Sequence, residues 1–208
     1  HGRVPFLQSD VFTPTCQPPR TEHSFCRHCG TRTDMRVPEG DGSERAVCPS
    51  CGTIHYVNPL VVVGTIPVLG DKVLLCKRNI EPRFGKWTLP AGFMELGETT
   101  AQGAARETRE GSGASFDMGP LFAVMNVPAA SQVHLFYLCT LQHDQFDPGI
   151  ETQEARLFAE DEIPWEELSF LTVQHALQAF FADRVRGHFL VHTGDISGRD
   201  FVRDHPGA

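Results

Sequence analysis

The sequence predicts an α/β protein in which a mixed sheet packs between helices, with a small cysteine-bearing module in front. Three observations carry this reading: the close cysteine pairs in "CRHCG" and "CPSCG", a series of β-branched or alternating runs that starts with "LVVVGTIPV", and two stretches of helical composition, "TTAQGAARETRE" and "LTVQHALQAFFADRV". The runs do not follow the regular spacing of a doubly wound βαβ sheet, so the sheet is expected to be mixed. With 208 residues, 40% of them hydrophobic and 21% charged, one main domain plus a small module is the natural organisation.

In chain order, residues 1–22 carry Pro14, Pro18 and Pro19 and few periodic apolar positions, and read as an extended lead-in that includes Cys16. Residues 23–57 form the turn-rich cysteine module and residues 58–186 the main domain. There, "LVVVGTIPV" and "DKVLLCKR" flank the turn "LGD" as a hairpin. "WTLPAGF" is a short strand entering a loop. Thr99 caps the first helix, with Gln102 in capping-box position. Three more strands follow in "LFAVMNV", "QVHLFYLCTL" and "EARLFA", and the last helix turns Leu171, Leu177, Phe180 and Phe181 toward the core. Residues 187–208, rich in Gly and Asp, read as a loose tail.

The formal net charge of −8 and the lack of a Lys/Arg run argue against nucleic acid or an anionic membrane as partner, and favour a small molecule. The longest apolar stretch, "PLVVVGTIPVLG", is interrupted by Gly64 and Pro67 and falls short of the roughly 20 residues that span a bilayer. The chain starts at His1, so the native start is expected to be missing or replaced and a targeting peptide would be invisible.

Cys26, Cys29, Cys48 and Cys51 stand as C-x2-C, an eighteen-residue gap, and C-x2-C. Gly30 and Gly52 follow each pair and allow a tight knuckle, so that four thiolates can surround a structural zinc with no open position for catalysis. A redox dithiol or two disulfides is the alternative. Cys76 and Cys139 lie in predicted strands and read as buried apolar fillers rather than nucleophiles.

On the first helix, Glu107 and Glu110 are separated by about 60° around the axis, with Ala101, Ala104, Ala105 and Thr108 on a packing side. Arg106 can orient or screen Glu110 from one turn away. Alone, such a helix is also what a solvated charged face looks like. The loop before it, "LPAGFMELGE", uses Pro90, Gly92 and Gly97 to fold back, which brings a carbonyl such as that of Ala91 toward the carboxylates and makes a hard-oxygen magnesium site.

Gly92, Glu98, Arg106, Glu107, Glu110 and Gly113 resemble the Nudix box, G-x5-E-x7-R-E-U-x-E-E-x-G-U, at its full spacing. The resemblance implies an α/β/α sandwich and hydrolysis of the pyrophosphate in a nucleoside diphosphate derivative with magnesium or manganese. It makes Glu107, Glu110 and the Ala91 carbonyl metal-binding or water-activating groups, Arg106 and Glu98 braces of the loop, and Glu154, ahead of "ARLFA", the glutamate that orients the attacking water, with Glu151 beside it. Thr108 and Ala114 replace bulky apolar residues, a mild change. Gly111 replaces the second glutamate of the E-E pair, which commonly ligates the metal most directly; losing one electrostatic stabiliser lowers rates on the order of 10²–10³-fold, so the resemblance implies a kept fold with reduced activity unless Glu151 or Glu154 compensates.

A zinc ribbon before a Nudix domain resembles two groups. "SFDMGPLFAVMNVP" lacks the S-Q-P-W-P-F-P-x-S signature of the NADH pyrophosphatases, whereas "CPSCGTIHYVNP", "KVLLCKRNIEP" and "WTLPAGFMELGE" resemble the plant chloroplast FAD pyrophosphatase and bacterial ADP-ribose pyrophosphatase group. That implies cleavage of FAD to FMN and AMP, with ADP-ribose a further substrate, in a bacterial cytoplasm or, for a plant-like protein, a chloroplast. Arg78 and Lys77 are candidate phosphate contacts or plain strand-end cations, and Trp87, Phe93 and Phe122 are candidate stacking rings or core. A homodimer stays open. The alternative to an enzyme is a nucleotide sensor with a degenerate box, kept open by Gly111.

Overall fold

The computed structural model describes residues 23–204; the lead-in expected at residues 1–22, with Cys16, lies outside the described residues. The chain divides into two compact units, with the division after Ile54. In the first, strands β1 (Asp34–Arg36), β2 (Arg45–Val47) and β3 (Ile54–His55) form a sheet in that order. Its two knuckles repeat one geometry. Cys26 N–H donates to Thr31 O and Gly30 N–H to Cys26 O, both at 2.8 Å, while Cys48 N–H donates to Thr53 O at 2.9 Å and Gly52 N–H to Cys48 O at 3.0 Å. Gly30 and Gly52 take φ of 75° and 74°, the left-handed turn that a Cβ would strain.

The second unit is built on a mixed nine-stranded sheet. Its strands are β4 (Leu60–Leu69), β5 (Lys72–Arg78), β6 (Trp87–Thr88), β7 (Ala91–Phe93), β8 (Phe116–Val127), β9 (Gln132–Leu141), β10 (Thr152–Phe158), β11 (His192–Ser197) and β12 (Asp200–Arg203). The order is β10-β5-β4-β9-β8-β11-β12, with β6 paired to β5 and β7 to β4; β4 runs parallel to β9 and β8 parallel to β11. The expected hairpin closes with Leu69 opposite Lys72 and Gly70 at φ 61°. "WTLPAGF" is two strands rather than one, since β6 pairs with β5 and, past Leu89 and Pro90, β7 pairs with β4.

Helix α1 (Thr100–Ser112) starts at the expected capping box: Gln102 N–H donates to Thr99 Oγ1 at 3.2 Å and Thr99 N–H to Gln102 Oε1 at 2.8 Å. It runs through Gly111 and ends at Gly113, whose φ of 65° and N–H bond to Arg109 O at 2.7 Å make a left-handed cap. Its small face meets the sheet through buried Ala104, Ala105 and Thr108, and Thr108 Oγ1 lies 2.7 Å from Thr65 Oγ1. Alternation along β4 sends the next residue, Ile66, to the main core, with Phe122, Met125 and Phe136 and with Leu177, Phe180 and Phe181 of α2 (Leu171–Arg186). Leu171 is only half-buried, because it opens the helix at the rim. Among the described residues no helix is long and apolar enough to cross a membrane.

Within the tail expected to be loose, His192–Ser197 and Asp200–Arg203 are instead ordered as β11 and β12. The reason is a buried clasp: Asp183 at the end of α2 accepts from Leu190 N–H at 3.0 Å and lies 2.8 Å from His192 Nε2, and both side chains are buried. Asn126 Nδ2 also donates to Asp195 Oδ1 at 2.9 Å, tying β11 to β8. Asp183→Ala leaves the buried His192 ring and the Leu190 amide without this partner, and we expect a loss of about 2–3 kcal/mol in urea unfolding.

Candidate active site

The site starts from a close approach. A Cβ at Gly92 would overlap the Glu107 carboxylate, so the side chain of α1 rests directly on the β7 backbone. Two more glycines bring the elements together: a Cβ at Gly64 would overlap Ala91 and Pro90, and one at Gly103 would overlap Glu98 and Val63. Thr65 N–H fixes the loop by donating to Pro90 O at 3.1 Å.

Arg106 gathers the charges. Its Nε donates to Glu98 Oε2 at 3.0 Å; Nη2 donates to Glu98 Oε1 at 2.8 Å and to Phe93 O at 3.0 Å; Nη1 donates to Glu107 Oε1 at 2.7 Å and to Glu110 Oε2 at 3.3 Å. Glu107 and Glu110 therefore converge on one guanidinium nitrogen. They differ in freedom, since the Glu107 side chain is 18% exposed and that of Glu110 is 62% exposed. Burial raises the Glu107 carboxyl above its ordinary value, partly opposed by Arg106. Glu98, hydrogen-bonded by Arg106 and by Glu95 N–H, is held down at about 2.

A loop completes the surroundings. Gly149 N–H donates to Glu110 O and Asp147 N–H to Ser112 O, both at 3.0 Å, so the segment before β10 is stitched to the last turn of α1. Asn79 N–H donates to Glu151 O at 2.8 Å, and the charge of Glu151 bears on both Glu107 and Arg78. Glu154, expected at the site, lies on β10 opposite Lys77, with one oxygen 3.7 Å from Arg156 Nε. Of the two loop acids, Glu151 is the one whose charge bears on Glu107.

The candidate substrate residues fare unequally. Phe93 is 49% exposed beside the Arg106 cluster. Trp87 and Phe122 are core residues: Trp87 is 6% exposed and packs edge-on to Phe158 at 4.9 Å, so neither ring offers a free face for stacking. Arg78 Nε donates to Pro82 O at 2.8 Å and its guanidinium covers the Phe170 ring, while Lys77 lies over Trp87. Cys76 and Cys139 are buried, and burial pushes their thiols up to about 12 and about 11.

The residues fit two kinds of metal. The sulfurs of Cys26, Cys29, Cys48 and Cys51 all lie within 4.8 Å of one another, with Cys26–Cys51 at 3.7 Å and Cys29–Cys48 at 3.4 Å. Four ligands at a zinc–sulfur distance of about 2.3 Å make tetrahedral edges of about 3.8 Å, so the set suits structural zinc. At the acidic site, the glycine cradle at position 92 and two converging carboxylates suit a hard divalent cation held by oxygen.

Comparison with known proteins agrees with both. Residues 24–57 match the zinc-ribbon family described as "Nudix N-terminal", and residues 58–186 match the "NUDIX domain". The chain belongs to the Nudix family. A Nudix hydrolase structure from Nitrosomonas europaea superposes with a TM-score of 0.80 at 48% identity, covering 83% of this chain and 98% of that one. The NAD-capped RNA hydrolase NudC of Stutzerimonas stutzeri is 30% identical over 149 residues, 69% of this chain and 51% of that protein. An ADP-ribose pyrophosphatase of Methanocaldococcus jannaschii is 28% identical over 113 residues, 52% of this chain and 67% of that protein. The chain thus spans about half the length of the NudC proteins it matches first. Nudix hydrolases use magnesium or manganese, which is the kind of ion the acidic site fits.

A carboxylate held low in the folded state adds stability above its ordinary value and loses it as pH falls through the lowered one. Urea unfolding of Glu98→Gln against the parent chain should show the full stability gap above about pH 4.5, narrowing as pH falls toward about 2.

Proposed function

We propose that this chain is a divalent-metal-dependent pyrophosphohydrolase acting on a nucleoside diphosphate derivative, with FAD, cleaved by water to FMN and AMP, as the first substrate to test and ADP-ribose the second. The observation that carries the reading is the convergence of Glu107 and Glu110 above the glycine cradle at position 92, within an otherwise matched Nudix box. Glu107, Glu110 and the Ala91 carbonyl would hold the cation, which supplies charge neutralisation on the diphosphate. Arg106 acts as a positioning residue that fixes both carboxylates and the Phe93 carbonyl. Arg78 is the proposed phosphate contact and half-exposed Phe93 the proposed platform for a planar ring of the substrate. The partner is a small nucleotide. The NAD-capped end of RNA, named for the NudC relatives, is a third substrate to test, since the bond there is again a pyrophosphate attached to adenosine, although the net charge of −8 weighs against an RNA partner.

Gly111 favours a second reading, in which the chain binds such a nucleotide and senses it without turnover. Chromatographic detection of FMN and AMP from FAD separates the two. The hydrolase reading expects product with magnesium or manganese, none with a chelator, and a fall in kcat/KM on the order of 10²–10³-fold in Glu107→Gln. Saturable FAD binding with no hydrolysis of FAD, ADP-ribose or NAD-capped RNA under either metal would establish the sensor instead.

A further inference from the structure

Arg78 is held by its backbone, by Nε and by one face of its guanidinium. Its N–H donates to Lys86 O and its carbonyl accepts from Gly85 N–H, both at 2.9 Å, so the loop at residues 79–86 closes on this one residue. Within the loop Arg83 takes φ 66°, a left-handed conformation that costs a residue with a Cβ, and Gly85 takes φ 76°. The returning chain puts Pro82 O 2.8 Å from Arg78 Nε, which donates to it. Phe170 supplies the other support, with the guanidinium carbon 5.1 Å from the centre of its ring.

Phe170 is itself fixed. It packs against the main core, and as the N-cap of α2 its carbonyl accepts from Val173 N–H at 3.1 Å and from Gln174 N–H at 3.2 Å. Ser169, just before it, donates its N–H to Trp87 O at 2.8 Å, and Trp87 pairs with Lys77 on β5. The ring is thereby tied to the strand end that carries Arg78. Alternation along β5 separates the two cations found there. Lys77 goes with Leu75 to the side of the main core and lies over Trp87, whereas Arg78 goes with Cys76, whose sulfur meets Gly111 O on α1.

Among the described residues no acceptor meets Nη1 or Nη2 of Arg78. The guanidinium is half-buried, with its inner N–H bound, one face on a ring and its outer edge unclaimed. That edge can donate two parallel bonds to the oxygens of a phosphate. We infer that Phe170 is a positioning residue for the substrate's diphosphate: its ring, with the Pro82 carbonyl, fixes the Arg78 guanidinium so that the two outer nitrogens meet one phosphate. This rests on the reading of Arg78 as the phosphate contact and adds the residue that orients that contact. A long side chain ordered in advance loses less freedom when the nucleotide arrives.

The test measures ADP binding by isothermal titration calorimetry with magnesium present, since ADP carries the diphosphate and no turnover is needed. Arg78→Gln should weaken ADP binding about tenfold or more. Phe170→Leu, which keeps an apolar side chain but removes the ring, should weaken it about fivefold, and Phe170→Tyr, which keeps the ring, should stay within about twofold of the parent. Adding Phe170→Leu to Arg78→Gln should change affinity by less than about twofold, because the ring then has no guanidinium to act through. A Phe170→Leu loss that adds in full to that of Arg78→Gln, in proteins that melt as cooperatively as the parent, makes Phe170 merely structural and overturns the inference. Unchanged affinity in Phe170→Leu overturns it as well, and unchanged affinity in Arg78→Gln removes the phosphate contact on which it rests. The predicted pattern of ADP affinities in a chain that releases no FMN from FAD would sink the hydrolase reading and leave the role of Phe170 standing.

Discussion

The five N–H donors of one guanidinium hold this site together. A planar arginine fork has five donors, and in Arg106 each meets an oxygen: two of Glu98, one of Glu107, one of Glu110 and the carbonyl of Phe93. Without it, the carboxylates of Glu98, Glu107 and Glu110 would face one another with no shared cation between them. With it, the loop and the helix share one fixed charge. A lysine could not take this place, because its single ammonium cannot span five acceptors in one plane.

The fold's contribution is to bring that helix close. Small residues carry the contact on both sides: Gly64 on β4 under Ala91 and Pro90, Gly103 on α1 over Val63, and the buried Thr65–Thr108 hydroxyl pair between them. The apolar core lies on the other face, where α2 packs on Ile66, Phe122 and Phe136. Stability and chemistry are therefore divided across the sheet. The clasp of Asp183 with His192 belongs to the stability side, since it fastens the final strands to the end of α2.

What the sequence made legible was local. The capping box of Thr99 and Gln102, the turn at Gly70, the small face of α1 and the two cysteine knuckles each depend on residues within a few positions of one another, and the structure has them all. What it hid was long-range. The strands after Arg186 looked loose because their anchor, Asp183, reads as one more polar residue at a helix end; the alternating burial of His192, Gly194 and Ile196 in "HTGDIS" was the signal available. Whether Trp87 and Phe122 were stacking rings or core stayed open in the sequence because aromatic type does not reveal depth, and the structure places both in the core. The docking of Gly149 on Glu110 O, which brings the loop before β10 against the helix, has no signature beyond a glycine in a loop.

The account depends most on the contact between Gly92 and the Glu107 carboxylate. The Gly92 backbone is not left-handed, so alanine suits its conformation and only the added methyl group meets Glu107. The decisive measurement is the Mn2+ affinity of the Gly92→Ala chain by electron paramagnetic resonance. A loss of about tenfold or more with the fold retained is the predicted result, and an affinity equal to the parent's would contradict a cation seated between this bend and the helix.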